Sequence, residues 1–338
     1  MPQPVLFLAP FKGLTTKIYR NAVARHFGGF DAMFAPFISG TGHDKVNTSK
    51  LSDVAPKESM LAHTVPQFLS NNGREALAIT KAMAQEGYNH VNWNMGCPFS
   101  RIADKKRGCG ILPYPEELDR MLHWVFQEAP INISIKTRLG YYRAEESIKV
   151  MEVLNRYPIH MLIVHARIGT QLYAGEVDLD GFAYCLSHAR MPVVYNGDIF
   201  HKERFAVLQS LFPDVHAWML GRGALINPFL ALEIKGISVS ENEKRKLLIS
   251  FLDEIEAQCL INQTNSLRLL GYLKAIWFYI GGMFEPHSEI LYKIKKSQSI
   301  DEYKIIAADA LALPFAGHEG IEHYFRLGVK HVGDENYR

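Results

Sequence analysis

The segment Asn94-Met95-Gly96-Cys97-Pro98 of this 338-residue protein contains a cysteine that could take part in a reaction. The segment follows a short run, Asn89–Trp93, that is typical of a buried strand, so its glycine and proline predict a tight turn at the end of that strand. Parallel α/β folds hold their ligands at the carboxyl ends of strands. Cys97 could therefore act as a nucleophile, a metal ligand or a general acid, although a cysteine beside a turn is more often a small core residue.

Polar residues that could serve the same site stand at the ends of most other apolar runs. Each has a structural explanation on its own: Lys136 could be paired, and His165 could be a satisfied core histidine. If the runs are parallel strands, however, all of these side chains converge on one rim, which chance would rarely produce. Besides Asn94 and Cys97, the candidates are Pro10, Gln67, Lys136, Arg138, His165, Arg167, Asn196, Asp198, Gly221 and Arg222.

The last two motifs, Asn196-Gly197-Asp198 and Gly221-Arg222-Gly223, form a phosphate-binding pattern. The loops after strands seven and eight of a barrel, with a helix N-terminus beside them, commonly bind phosphate. Glycines let backbone N–H groups approach the phosphate oxygens, and Arg222 adds a forked, charge-assisted contact. The pattern predicts a phosphorylated cofactor or substrate.

Lys136 lies midway along this rim, where a ring system anchored by the phosphate would lie. A buried cation there can stabilise negative charge on a reduced flavin. Gln67 and Asn94 can each donate and accept hydrogen bonds at the edge of a flavin or a pyrimidine. Metal-ligand spacing is missing around Cys97 and no Cys–His–Asn set is evident, so we expect no metal and disfavour a cysteine hydrolase.

Eight apolar runs alternate with helical patterns over the first two thirds of the chain and predict an α/β fold, a (β/α)8 TIM barrel. An open doubly wound sheet is the alternative, but its GxGxxG fingerprint is missing after the first strand. The predicted strands are Val5–Leu8, Ala32–Phe37, Thr64–Leu69, Asn89–Asn94, Asn132–Thr137, Met161–His165, Val193–Asn196 and Ala217–Leu220. The predicted helices are Thr15–Phe27, Gly73–Glu86, Pro115–Glu128, Ala144–Arg156, Leu179–His188 and Lys202–Leu211, and Ser39–Lys57 is a predicted loop.

The pattern changes after Gly236, and we predict two domains, a barrel over residues 1–238 and a small all-helical domain over residues 239–338. The helical domain carries basic clusters at Lys244-Arg245-Lys246 and at Lys293, Lys295 and Lys296. From charge alone these clusters are better interpreted as solvated helix faces than as a binding surface. Its predicted helices are Glu241–Ile261, Ser266–Ile280, Ser288–Lys296 and Asp301–Leu311.

Composition is that of an ordinary globular protein, with 48% hydrophobic residues and a net charge of +2. The charge does not by itself indicate a nucleic-acid partner. The four cysteines show no CxxC spacing, which favours a reducing, cytoplasmic setting. No signal peptide or membrane span is expected, and we expect a monomer.

Several segments occur together in the order and spacing of one known family, and on them the chain resembles the tRNA-dihydrouridine synthases over essentially its whole length. The matching segments are Ala9-Pro10-Phe11-Lys12-Gly13-Leu14-Thr15, Gln67, Asn94-Met95-Gly96-Cys97-Pro98, Lys136-Thr137-Arg138-Leu139-Gly140, His165-Ala166-Arg167, Tyr173-Ala174-Gly175-Glu176-Val177-Asp178, Asn196-Gly197-Asp198-Ile199 and Gly221-Arg222-Gly223-Ala224.

The resemblance implies an FMN-bearing catalytic barrel, a helical tRNA-binding domain, and NADPH-dependent reduction of the C5–C6 double bond of particular uridines in tRNA. It implies that Cys97 is the acid that protonates C5. It also implies that Asn94, Arg138 and Arg167 contact the substrate. The flavin-binding positions of the family correspond to Pro10, Gln67, Lys136, His165, Asn196, Asp198, Gly221 and Arg222.

Two alternative functions and one local question stay open. A flavin barrel that reduces a free pyrimidine would have no need of the helical domain, and a tRNA-binding protein without catalysis would have no need of Cys97, Lys136 and His165. Lys105-Lys106-Arg107 replaces a run of small residues that is usual in the family. These cations either contact tRNA phosphates or lie in a solvated loop.

Overall fold

The computed structural model describes residues 3–39, 51–55 and 60–324. Ten strand segments form one sheet in the order β3-β5-β6-β7-β8-β9-β10-β1-β2-β4, with every pair of neighbours parallel. The segments are β1 (Val5–Leu8), β2 (Ala32–Phe34), β3 (Ile38–Ser39), β4 (Thr64–Val65), β5 (Gln67–Leu69), β6 (His90–Met95), β7 (Asn132–Gly140), β8 (Leu162–Ile168), β9 (Val193–Asn196) and β10 (Ala217–Leu220).

The predicted strand Thr64–Leu69 is divided into two segments. The predicted strand Ala32–Phe37 ends at Phe34, and a further segment, Ile38–Ser39, lies beyond its predicted end; joining the two segments of each pair closes the sheet. Pro36 lies between β2 and β3, and Pro66 lies between β4 and β5; proline lacks the N–H that a ladder needs. β2 pairs with β4 and β3 pairs with β5, with Met33 opposite Thr64 and Ile38 opposite Phe68, so the register shifts by one residue. Ten segments therefore make eight strands with a neighbour on both sides, and the predicted barrel is confirmed.

Side-chain caps explain where many of the helices begin. Thr16, Asn72, Asp178, Ser240, Asn265 and Ser299 each accept a hydrogen bond from a backbone N–H of the first turn that follows. The helices of the barrel are α1 (Lys17–His26), α2 (Gly73–Gln85), α3 (Ser100–Ala103), α4 (Pro115–Phe126), α5 (Glu146–Leu154), α6 (Leu179–His188), α7 (Lys202–Leu211), α8 (Arg222–Ile226) and α9 (Leu230–Ile234). Those that follow are α10 (Glu241–Ile261), α11 (Ser266–Ile280), α12 (His287–Lys296) and α13 (Ile300–Leu311).

The interior of the barrel has an apolar half and a polar half. The apolar half is a separate cluster contributed by β1, β2, β4, β8, β9 and β10, namely Phe7, Ala9, Ala32, Phe34, Val65, Ile163, Val194 and Met219. The polar half lies around β6, whose alternate residues His90, Asn92 and Asn94 are buried and hydrogen-bonded to β5 and β7. The intervening residues of β6 pack outward into the core beneath the helices.

The C-terminal helices pack on the barrel through both apolar and polar contacts. Phe251 of α10 meets Tyr19 of α1 edge-on at 5.5 Å, and Glu254 accepts from the His26 ring at 2.6 Å. The Tyr272 hydroxyl of α11 lies 2.7 Å from the hydroxyl of Thr16. The division into domains at residues 238 and 239 stays a prediction. Of the predicted loop Ser39–Lys57, residues 40–50 and 56–57 lie outside the described residues.

None of the helices in the described ranges combines the length and the apolar composition that a membrane span requires.

Candidate active site

Two adjoining cavities open at the carboxyl end of the barrel strands and form one cleft. The cavity that we call the Cys97 lobe has an empty volume of about 640 Å3 and is lined by Gln67, Asn94, Cys97 and Arg138 among others. The cavity that we call the Arg222 lobe has about 470 Å3 and is lined by Asn196, Asp198, Gly221 and Arg222 among others. Both lobes share Pro10, Phe11, Lys136, His165 and Tyr173.

Every candidate residue from the sequence lines one lobe or the other except Arg167. The Arg167 side chain is 1% exposed and lies behind the cleft, where it binds Asp198 and the backbone carbonyls of Ala174 and Gly175. Its position suits a residue that supports the lining rather than one that touches a ligand.

The turn that carries Cys97 is held from both sides. Asn94 Oδ1 accepts hydrogen bonds from the backbone N–H groups of Gly96 at 3.1 Å and Cys97 at 2.9 Å. The Cys97 carbonyl accepts from the N–H of Cys109 at 3.1 Å and from its thiol at 3.3 Å. Gly108 has a φ of +57°, and a Cβ there would lie 2.4 Å from the Cys97 carbonyl oxygen, so only glycine fits beside this turn.

Cys97 is 8% exposed and lies at the wall of its lobe. Burial raises the pKa of this thiol above its ordinary value, although a backbone hydrogen bond at Phe99 and the charges of Arg138, Arg101 and Lys136 oppose the shift. The protonated thiol is therefore the stable form at neutral pH, which suits a proton donor better than a nucleophile.

Lys136 of β7 and His165 of β8 lie where the two lobes meet, and His165 is paired in register with Arg138, two residues beyond Lys136. Burial, with the charge of Arg138, lowers the pKa of Lys136 to about 7. Burial lowers the pKa of His165 well below its ordinary value, and the charges of Arg138, Lys136, Arg167 and Arg222 add to the effect. The imidazole is thus neutral, and the junction attracts an anion chiefly through its lysine and arginines.

The Arg222 lobe is built around an ionic network. Asp198 Oδ1 accepts from Arg222 at 2.7 Å and from Arg167 at 2.9 Å, and Oδ2 accepts from Arg167 at 2.5 Å. Burial would raise the pKa of Asp198, but the two guanidinium groups outweigh it and hold this pKa below its ordinary value. Asp198 is therefore ionised, and it orients Arg222 along the wall of the lobe.

The start of α8 provides the backbone part of the same lobe. Gly221, Arg222 and Gly223 line the cavity, and the first N–H groups of a helix have no partner within it. A Cβ on Gly223 would lie 2.0 Å from the Ile199 carbonyl oxygen, so glycine lets α8 approach the loop after β9. Backbone N–H groups beside a guanidinium form a donor set that fits a phosphate group.

Tyr173 is a residue of the cleft that the sequence reasoning did not assign to the site. Its ring lies 4.5 Å from the Arg222 guanidinium and 5.5 Å from that of Arg138, so it contacts both lobes. It belongs to the segment after β8 and follows no strand end directly. Its presence in the motif Tyr173-Ala174-Gly175 was the only sequence signal for it.

The basic segment Lys105-Lys106-Arg107 has protein partners for two of its three cations. Lys106 binds Glu117 at 2.5 Å and lies 3.9 Å from the centre of the Tyr114 ring. Arg107 donates to Asn71 at 3.1 Å and lies 3.6 Å from Glu75. Of the three, only Lys105 is exposed, and the other two cations are half-buried and have acidic partners in the protein.

A family model described as dihydrouridine synthase matches residues 7–280 of the chain. The chain belongs to the dihydrouridine synthase family. The match extends from β1 to the end of α11 and includes every residue of the cleft named above, so the family resemblance predicted from the sequence is confirmed.

Relatives of known name agree with the family model over most of the chain. A tRNA-dihydrouridine synthase B of Vibrio vulnificus is 24% identical over 331 residues, which cover 95% of each chain. A tRNA-dihydrouridine(16) synthase of Ralstonia nicotianae is 27% identical over 296 residues, 80% of this chain and 87% of the relative.

Among solved structures, a 2-naphthoyl-CoA reductase in complex with 2-naphthoyl-CoA has the same fold, with a TM-score of 0.53 at 10% identity. The likeness covers 69% of this chain and 50% of that chain, and it supports the fold alone.

Proposed function

We propose that this protein is a tRNA-dihydrouridine synthase, which reduces the C5–C6 double bond of specific uridines in tRNA with NADPH through bound FMN. The observation that carries the proposal is a protonated thiol, Cys97, in one cleft with Lys136 and with the phosphate-type donor set of Gly221-Arg222-Gly223. Family membership and the names of the relatives support the same activity.

The residues of the cleft suit FMN in chemistry and in placement. The Arg222 lobe would take the phosphate through Arg222 and the first turn of α8, and Asp198 would act by holding Arg222 in place. The flavin ring would lie at the junction, against Pro10, Lys136 and His165, with Gln67 and Asn196 at the walls. When bound, FMN supplies the hydride that NADPH has delivered and that uracil C6 receives.

The Cys97 lobe would take the uracil. Addition of hydride at C6 creates enolate charge on the base, and transfer of the Cys97 proton to C5 completes the addition of two hydrogens across the double bond. Arg138 is held by the carbonyls of Gly96 at 3.1 Å and Ile168 at 2.9 Å and lines this lobe, where its charge opposes the developing anion. Asn94 donates to the base, and Arg167 acts through Asp198.

The target uridine of a folded tRNA has to leave its stack to reach this cleft. Binding therefore combines contacts to the phosphate backbone with stacking in the pocket. Lys295 and Lys296 of α12 are exposed, whereas Lys244, which binds Glu233 at 2.7 Å, and Arg245, which contacts the Phe315 ring at 4.5 Å, are half-buried. We assign the tRNA contact on this domain to α12 rather than to the first basic cluster.

The experiment is a reductase assay on purified protein with unmodified tRNA and NADPH, read as dihydrouridine by mass spectrometry. We expect yellow protein that releases FMN on denaturation and forms dihydrouridine in tRNA. Activity on free uridine or uracil but not on tRNA would favour the free-pyrimidine reductase. Tight tRNA binding by colourless protein that never reduces it would favour a binding protein without catalysis.

A further inference from the structure

A chain of hydrogen bonds crosses the polar half of the barrel interior, from the Cys97 turn to the far end of β6. Each link is 2.9 Å or shorter, and every side chain in it is buried. In order, the links join Cys97 N to Asn94 Oδ1 at 2.9 Å, Asn94 Nδ2 to Gln67 Oε1 at 2.9 Å, Gln67 Nε2 to Asn92 Oδ1 at 2.7 Å, Asn92 Nδ2 to Ser134 Oγ at 2.8 Å, and Ser134 Oγ to His90 Nε2 at 2.7 Å.

The direction of this chain is fixed at the Cys97 turn. The backbone N–H groups of Gly96 and Cys97 can only donate, so the atom of Asn94 that they contact has to be its oxygen. The amide nitrogen of Asn94 then faces Gln67, and each later amide is oriented by the one before it. The last amide, Asn92, donates to Ser134, and the Ser134 hydroxyl lies 2.7 Å from His90 Nε2, to which it can donate its one proton.

Ser134 can donate its proton to His90 only when the His90 ring is neutral. A neutral ring with its proton on Nδ1 accepts from Ser134 through Nε2, whereas a protonated ring would present a second donor to the hydroxyl. Burial, with the neighbouring His160 and His63, lowers the pKa of His90 to about 3. The His160 ring centre lies 4.8 Å from that of His90, and the Phe34 ring meets it edge-on at 6.4 Å.

We propose that Asn92, Ser134 and His90 are positioning residues that lock the Asn94 amide with its oxygen on the Cys97 turn and thereby fix the thiol in the cleft. Both acceptor positions of Asn94 Oδ1 are used by the turn, so Asn94 offers the cleft only its remaining N–H. The ligand atom opposite has to be an acceptor, such as a carbonyl oxygen. This consequence for the substrate rests on the proposed function, whereas the locking of the turn does not.

Substitutions of Asn92 can either remove the hydrogen bonds that orient the Asn94 amide or preserve them. Asn92→Leu removes both links and leaves Gln67 and Ser134 without their partner. Asn92→Asp keeps the lock, because one carboxylate oxygen still accepts from Gln67 while the other accepts from the Ser134 hydroxyl, and His90 donates to Ser134 as its other neutral tautomer. Val194→Ala, in the apolar half of the same interior, is the control for lost packing.

The measurement is the rate at which iodoacetamide alkylates Cys97 and Cys185, resolved by peptide mass spectrometry. Cys185 is a buried thiol of α6 outside the cleft, so it reports global unfolding in the same sample. We expect Asn92→Leu to raise the Cys97 rate roughly tenfold, with Cys185 unchanged, because one buried hydrogen bond of the turn is weakened. Asn92→Asp and Val194→Ala should leave the ratio of the two rates as it is in the unaltered protein.

Three results would overturn the proposal: an unchanged Cys97 rate in Asn92→Leu, an equal rise at Cys97 and Cys185, or an Asn92→Asp variant that reacts like Asn92→Leu. The assay is repeated with FMN added in excess. The difference in the Cys97 rate between Asn92→Leu and the unaltered protein has to persist there, because a difference caused by lost cofactor would disappear. Alkylation requires neither tRNA nor NADPH. Failure of the reductase assay would therefore leave this test intact, and failure of this test would leave the proposed function intact.

Discussion

The two lobes of the cleft hold their functional groups by different kinds of interaction. In the Cys97 lobe, neutral amides and backbone groups fix the turn, with each donor matched to one acceptor. In the Arg222 lobe, one half-buried carboxylate, Asp198, is shared by two guanidinium groups. Neutral hydrogen bonds are directional, whereas a network of charges sets the sign of the potential and attracts an ion. The first lobe is thus built to position a proton and the second to hold an anion.

The largest effect is expected when the thiol of the first lobe is removed. Cys97→Ala deletes the proton donor without disturbing the Arg222 lobe, so dihydrouridine formation should fall by about 10² to 10⁴, the usual worth of a general acid. FMN content and tRNA affinity should stay within about twofold. The assay is single-turnover dihydrouridine formation, and near-normal turnover would remove Cys97 from the acid role.

Removal of a guanidinium from the ionic network of the Arg222 lobe should reduce stability more than removal of one from an exposed ion pair. Arg167→Met removes a buried guanidinium and leaves Asp198 with one partner, and we expect the free energy of unfolding to fall by about 3 kcal/mol in urea titrations. Arg156→Met is the control, because its ion pair with Asp119 is largely exposed and should be worth under about 1 kcal/mol. Equal losses in the two variants would contradict the conclusion that the ionic network holds the Arg222 lobe more strongly than an exposed ion pair would.

Lys136, at the border of the lobes, should make FMN binding depend on pH. Its pKa of about 7 in the ligand-free protein should rise when a flavin carbonyl accepts a hydrogen bond from its ammonium group and the FMN phosphate adds negative charge in the adjoining lobe, so binding takes up a proton at higher pH. FMN affinity should therefore fall as pH rises above 7, by up to about tenfold per unit, and should be nearly flat below that. FMN fluorescence titrations from pH 6 to 9 measure this dependence, and Lys136→Met should abolish it.

The smallest effect is expected in the basic segment beside the Cys97 lobe. Lys106 is held by Glu117 and Tyr114, so Lys106→Ala should change tRNA affinity by less than about twofold at moderate salt. Lys105→Ala is the matched comparison, because that side chain lies on the surface. A larger loss with Lys106→Ala than with Lys105→Ala would show that the segment releases its internal partners to bind RNA.

The regular elements could be predicted from the sequence because their signals are local. The bounds of Leu179–His188, Lys202–Leu211, Glu241–Ile261 and Ser266–Ile280 agree with the prediction, since caps and apolar spacing lie within each segment. The interruptions at Pro36 and Pro66 were not predicted, and neither was the strand segment Ile38–Ser39, which lies beyond the predicted end of the second strand. A proline marks a lost donor, but the partner strand decides whether the pairing resumes beyond it.

The roles of residues in the cleft could be predicted only where the strand itself places the side chain. Lys136 and His165 follow from strand direction, and both line the cleft. Arg167 is two residues beyond His165 and should face the same side, yet a carboxylate on the loop after β9 draws it behind the lining. Tyr173 enters the cleft from a loop. Contacts between loops that lie far apart in the sequence leave no periodic pattern that could predict them.

The two thiols nearest the cleft share a property with consequences for stressed cells. Burial raises the pKa of Cys97 and brings that of Cys109 to about 12, so neither sulfur is ionised at physiological pH. Hydrogen peroxide attacks the thiolate. The protein should therefore keep its function at peroxide doses that disable enzymes with ionised active-site cysteines, and RNA modification by it should continue while those enzymes fail.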